Sequence, residues 1–131
     1  MVAVSIRSVS FVHRETVRFR DLDAMGHMNN AVYATFIEQA RLAFLTPNGA
    51  SVENMILARL EIDFRSPVEL GETIEIAVTP ARIGTKSFDL DYVLRAGARV
   101  VAEAKTVLVA YDYATGSSIE LPDEWKERLA A

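Results

Sequence analysis

Cysteine is absent from this 131-residue chain. That excludes disulfides, thiolate nucleophiles and zinc–thiolate sites, and it fits a reducing, cytoplasmic setting. Histidine is scarce, with two residues, so His13 and His27 are the only imidazoles available for acid–base work. No apolar run approaches the ~18–20 residues that a membrane-spanning helix needs. Residues 1–11 (MVAVSIRSVSF) lack the long apolar centre of a signal peptide. No membrane partner is expected. Positive charge is in deficit, 14 Lys and Arg against 18 Asp and Glu, a net −4. Without a basic face to meet phosphates, nucleic acid is not expected as a partner. Internal repeats and low-complexity tracts are missing as well. What is present is a globular balance, 50% hydrophobic and 24% charged. The length suits one domain, residues 1–131, with its core over about 10–115.

The hydrophobic period changes along the chain. Residues 10–20 alternate, with Phe11, His13, Glu15, Val17 and Phe19 on one side and Val12, Arg14, Thr16, Arg18 and Arg20 on the other. A period of two predicts a strand. From Asn30 the apolar residues Tyr33, Phe36, Ile37, Ala40, Phe44 and Leu45 recur at intervals of three and four, with Thr35, Glu38, Arg41 and Leu42 opposite. This spacing predicts an amphipathic helix of about four turns. It stops at the breaker cluster Thr46-Pro47-Asn48-Gly49. Strands are then predicted over residues 54–65, with Ile56, Ala58, Leu60, Ile62 and Phe64 on one face, and over 73–80, 86–95 and 99–113. A short charged helix is predicted around 122–130, with Pro122 near its first turn. One helix on one antiparallel sheet makes a two-layer α+β domain. A single helix cannot cover five strands, so an exposed sheet edge is expected to pair with a second copy.

Between the first strand and the helix lies DLDAMGHMNNAVY, residues 21–33. It gathers two carboxylates, a glycine, a histidine and two asparagines at a helix entrance. A carboxylate beside a helix N-terminus can activate water or attack a carbonyl. The free amides and positive end of the helix can stabilise an oxyanion.

The run VRFRDLD–AMGHMNN–AVYATFIEQARLAFL resembles the hotdog-fold thioesterases, in particular the 4-hydroxybenzoyl-CoA thioesterase-like branch of small acyl-CoA thioesterases. RLEIDFRSPVELGETIEI and RIGTKSFDLDYVL resemble later parts of the same family. The resemblance implies a five-stranded antiparallel sheet wrapped around one long helix. It implies a homodimer or homotetramer with active sites between chains, and hydrolysis of an acyl-CoA thioester without metal or redox cofactor.

The resemblance assigns roles residue by residue. Asp23, the second acid of the Asp-x-Asp pair, is the expected nucleophile or general base, and Asp21 is expected to be structural. His27 is expected to orient water, assist proton transfer or bond the thioester oxygen. Carrier-protein thioesterases of this fold have an asparagine where this chain has Met25, so that branch is the alternative. Asn29 is read as a helix cap, and Asn30 as a cap or a positioner of water or carbonyl. Gly26 is expected to let the backbone approach the thioester, with its own amide or a neighbour's as oxyanion donor. Met28 and Tyr33 are substrate-binding candidates, as is Phe36 for the acyl pocket. Arg82, Lys86 and Ser87 resemble the family's coenzyme A-contacting stretch, with Arg65 a further basic candidate. Glu38 is read as a surface helix residue and His13 as structural. A non-catalytic acyl-CoA-binding module is the alternative from another functional class.

Overall fold

The computed structural model describes residues 11–47 and 54–130. Asn48 and Gly49 of the breaker cluster lie outside the described residues, as do residues 1–10 of the N-terminal stretch read above for a signal peptide. The elements in chain order are β1 (Phe11–Thr16), a 3-10 turn (Phe19–Asp21), α1 (Asn30–Leu45), β2 (Met55–Phe64), β3 (Thr73–Ile83), β4 (Ser87–Ala96), β5 (Arg99–Asp112), β6 (Ser117–Ser118) and α2 (Asp123–Ala130). The sheet is antiparallel, in the order β1-β3-β4-β5-β2, with β6 added to β5. The expectation of five strands is therefore corrected to six. The sixth is two residues long and too short to carry a periodic signal.

One face of the sheet alternates cleanly into the core. Ile74, Ile76 and Val78 of β3 and Phe88, Leu90, Tyr92 and Leu94 of β4 are buried. Against them α1 places Tyr33, Phe36, Ile37, Ala40, Phe44 and Leu45, the apolar stripe read from the sequence. Each of the larger apolar side chains contributes roughly 1.5–3 kcal/mol on burial. The helix starts where Asn29, in extended conformation, accepts the Ala31 amide at 2.9 Å. It ends where the Thr46 hydroxyl folds back on the Leu42 carbonyl at 2.6 Å. The C-terminal helix follows Pro122 as expected. Its Trp125 meets Phe88 edge-on at 6.0 Å. Its Arg128 donates from Nε to the Phe44 carbonyl at 2.6 Å, with the guanidinium carbon 4.9 Å from the Phe44 ring centre.

Three sequence expectations are corrected by tertiary context. β1 stops at Thr16, and Phe19 stands on the 3-10 turn, 79% exposed, rather than on an inward strand face. In β2 the register slips between Leu57 and Arg59, leaving Ala58 as the extra residue of a bulge. A bulge reverses the alternation, so Leu57 and Leu60 share a face and Ala58 does not join Leu60. Arg41, expected on the solvated side of the helix, is 4% exposed.

The flank of β2 away from β5 has no strand partner among the described residues. Leu57 and Phe64 expose 43% and 48% of their surface there. No helix of the described residues is long and apolar enough to cross a membrane.

Candidate functional site

The loop from Asp21 to Asn29 is held by its own backbone. Leu22 pairs with Met28, and His27 pairs with Glu69. The Asp23 amide donates to the His27 carbonyl at 2.8 Å, and the Gly26 amide returns to the Asp23 carbonyl at 3.1 Å. Gly26 turns the chain at φ +83°, a conformation that costs an L-residue roughly 1–2 kcal/mol. The Met28 amide reaches the Val68 carbonyl at 2.7 Å, and that of Asn29 reaches the Asp21 carbonyl at 2.8 Å.

The two aspartates divide as their surroundings dictate. Asp21 is buried, and its Oδ2 accepts the Arg18 amide at 2.8 Å with the Arg18 guanidinium at 3.5 Å. It fixes the entry to the loop. Asp23 is exposed. Its Oδ1 accepts the amides of Met25 at 2.8 Å and His27 at 3.2 Å. Its Oδ2 has no hydrogen-bond partner among the described residues. One oxygen therefore holds the loop while the other remains available for proton transfer or attack.

Asp23 opens onto a cavity of about 320 Å³ lined by His27, Met28, Asn30, Tyr33, Phe64, Arg65, Ser66 and Pro67 as well. Five residues singled out in the sequence as site candidates, His27, Met28, Asn30, Tyr33 and Arg65, thus meet Asp23 in one place. The His27 ring makes no hydrogen bond among the described residues. Met28 and Tyr33 are buried and form the apolar floor. Tyr33 meets Phe64 edge-on at 4.9 Å, and its hydroxyl reaches the Ser66 carbonyl at 3.4 Å. Burial is the main cause that raises the Tyr33 phenol above its ordinary value, so it stays protonated at neutral pH. Arg65 stands at the rim, tied to Glu103 at 2.9 Å.

A second cavity of about 340 Å³ adjoins the first and shares His27, Ser66 and Pro67 with it. Its other walls are Glu69, Glu72 and Arg99, with the Arg99 guanidinium bridging both Glu72 oxygens at 2.9 and 3.0 Å. The backbone amide of Glu69 and then Arg99 hold the Glu72 carboxyl below its ordinary value.

Other expectations fall outside the cavity. The Gly26 amide is committed to Asp23, and those of Met25, His27, Met28 and Asn29 are also taken. These amides are paired, that of Met28 with Val68 and the others within the loop. The helix entrance at Asn30 adjoins the cavity. Arg82 is bound to Ser87 Oγ and Asp89 Oδ1, each at 2.8 Å. Arg82, Lys86 and Ser87 sit at the end of the sheet where Ser87 pairs with Val109, opposite the end where Phe64 pairs with Ala102. Within one chain they do not line the Asp23 cavity. Phe36 belongs to the core, with 1% exposure, and does not line the cavity. His13 bonds Glu15 at 2.6 Å, away from the cavity. Ser66, Pro67, Glu72 and Arg99 were not singled out as site residues for this end of the fold. They reach it from the β2–β3 connection and the start of β5, and no local spacing announces that.

With this geometry in view, the comparisons are consistent with one another. Residues 17–129 match the family model of the thioesterase-like superfamily. The long-chain acyl-CoA thioesterase FadM of Escherichia coli is 31% identical over 122 residues, covering 86% of this chain and 92% of its own. A 1,4-dihydroxy-2-naphthoyl-CoA hydrolase of Nostoc punctiforme is 29% identical, covering 88% and 84%. Among solved structures, a Thermus thermophilus thioesterase complexed with coenzyme A and Zn superposes with a TM-score of 0.82 at 32% identity, covering 92% and 97%. The α+β architecture, an antiparallel sheet with a helix on it, is that of the hotdog thioesterases. The chain belongs to the thioesterase-like superfamily, an enzyme family whose chemistry is thioester hydrolysis.

Proposed function

We propose that this protein hydrolyses an acyl-CoA thioester to the free acid and coenzyme A, with Asp23 as the reactive carboxylate. The observation that carries the reading is the divided carboxylate. Oδ1 is anchored by two amides, and Oδ2 is unpartnered among the described residues, on a side chain that lines a cavity together with the first residue of α1. A water between Oδ2 and the thioester carbon gives its proton to Asp23 while its oxygen bonds to carbon, or Oδ2 attacks the carbon itself. In both routes the carbonyl oxygen gains negative charge and the C–S bond breaks. The thiolate of coenzyme A then leaves and takes up a proton; in the second route water then splits the acyl–Asp23 anhydride, releasing the free acid and restoring the carboxylate. The charge on oxygen is met by the helix entrance at Asn30 and by the uncommitted His27 ring, both able to donate.

The site is completed by a second copy. The β2 flank is unpaired among the described residues, and β2 exposes Leu57 and Phe64. Antiparallel pairing of two such edges brings the Ser87 end of one sheet near the Phe64 end of the other. Arg82, Lys86 and Ser87 of one chain would then rim the Asp23 cavity of its partner. The relatives named as CoA thioesterases support coenzyme A over a carrier protein as the leaving group.

The test is thiol release over straight-chain, branched and aroyl-CoA substrates, with wild type beside Asp23→Asn. Hydrolysis that the variant loses supports the reading. Full activity in a folded Asp23→Asn overturns the role of Asp23. Tight acyl-CoA binding without turnover supports the binding-module alternative.

A further inference from the structure

A third cavity, of about 220 Å³, lies further along the same helix. Its walls are Ala34, Thr35, Ile37, Glu38 and Arg41 of α1 with Leu57 and Leu60 of β2. The Asp23 cavity is bounded by the start of the same helix, Asn30 and Tyr33, and by Phe64 at the other end of the same strand. As the helix advances from residue 30 to 41, the strand runs back from 64 to 57. The two cavities therefore lie in series between α1 and β2. Eleven residues of helix rise separate Asn30 from Arg41, about 16 Å. The bulge at Ala58 allows Leu57 and Leu60 to line this inner cavity together.

Arg41 is out of place among these walls. It is 4% exposed, and its Nε has no hydrogen-bond partner. Nη1 reaches the Tyr92 hydroxyl only at 3.5 Å. That hydroxyl is already matched with the buried Thr106 at 2.8 Å. Arg41 makes no ion pair among the described residues, and Glu38, one turn earlier on the same wall, is exposed. A guanidinium stays charged at any physiological pH. Buried without an anion, it is costly, and a well-packed apolar residue of similar size is often more stabilising. Helix packing alone does not account for an arginine here.

We infer that Arg41 is a specificity-determining residue that binds the far end of the acyl group, selecting tails that end in an oxygen acceptor and a carboxylate above others. This rests on the thioesterase reading of the Asp23 cavity. With the thioester carbon at Asp23, the acyl chain runs along Tyr33, Ile37 and Leu60, and its terminal oxygen meets the guanidinium. The acceptor supplies the missing partner of Nε and the missing counter-charge. A methyl-ended tail of equal length leaves both wanting.

The experiment is steady-state thiol release with acyl-CoAs of matched length ending in methyl, hydroxyl or carboxylate, on wild type, Arg41→Met and Arg41→Lys. The expected wild-type preference in kcat/KM for carboxylate over methyl is about 10- to 100-fold, the range of a hydrogen bond to a charged group. Arg41→Met removes the preference while keeping turnover of the methyl-ended substrate, and Arg41→Lys retains part of it. A wild type that favours methyl ends overturns the inference whether or not the variants fold, and so does an unchanged ratio in Arg41→Met. If wild type hydrolyses no thioester, the thioesterase reading fails separately. Calorimetric titration with the carboxyl-ended acyl-CoA then decides. Binding at least tenfold weaker in Arg41→Met upholds the role of Arg41, and equal or absent binding overturns it.

Discussion

Replacing Asp23 in two ways separates its two oxygens. Asp23→Asn keeps the shape and leaves a carbonyl oxygen to accept the Met25 and His27 amides, now held by Oδ1 at 2.8 and 3.2 Å. It replaces the unpartnered Oδ2 with an NH₂ group that can neither take a proton nor attack. General acid–base groups contribute about 10²–10⁴-fold, so kcat should fall by that factor, roughly 3–5 kcal/mol of barrier. Stability should hold, because no native hydrogen bond is lost. Asp23→Ala removes the proposed reactive oxygen and both loop bonds. Two such bonds are worth about 0.5–1.5 kcal/mol each. At roughly 4 °C per kcal/mol for a domain of this size, Asp23→Ala should melt about 4–12 °C below Asp23→Asn. The assays are thiol release and thermal melting by circular dichroism on the same preparations. If Asp23→Asn hydrolyses at the wild-type rate, Oδ2 is not the reactive group. If Asp23→Asn melts as low as Asp23→Ala, the carboxylate is structural and its loss of activity says nothing about chemistry.

Two further predictions concern the frame around the site. Arg128→Ala removes the bond to the Phe44 carbonyl at the end of α1 and the cation over the Phe44 ring. A loss of about 1–3 kcal/mol is expected in urea melts, and a loss below about 0.5 kcal/mol would refute the claim that α2 anchors α1. Glu72 has a carboxyl lowered by the Glu69 amide and by Arg99 from its ordinary 4.5. A lowered folded value stabilises above the unfolded one and loses that contribution as pH falls through the folded value. Glu72→Gln should therefore lower stability at neutral pH and flatten the loss of stability below pH 4.5. An acid limb identical to wild type would refute it.

Much of this was legible in one dimension, for a physical reason. Periodicity reports which side of an element meets the core, so the α1 stripe and the β3 and β4 faces could be read before the fold was known. Capping is equally local: residue type and position alone narrowed the cap to Asn29 or Asn30, and the structure places it at Asn29. The 21–33 cluster reads as a site because its parts are neighbours in the chain: Asp23, His27, Met28, Asn30 and Tyr33 need only one loop and one helical turn to meet. Tertiary structure decided what depends on distant partners. Arg41 follows the polar helical period, yet the sheet covers it, because burial is set by what packs above a residue. The Ala58 bulge lies in an otherwise alternating strand and becomes visible only in register against β5. Phe19 continues an alternating pattern, but the Asp21 carboxylate turns the chain before it can pair. Phe64, Ser66, Glu72 and Arg99 reach the site through sheet topology, which no spacing along the chain encodes. Sequence alone marked residues 21–33 as the candidate site. Only the fold decided how one Asp23 oxygen became tied while the other stayed open, and which distant residues enclose the cavity it faces.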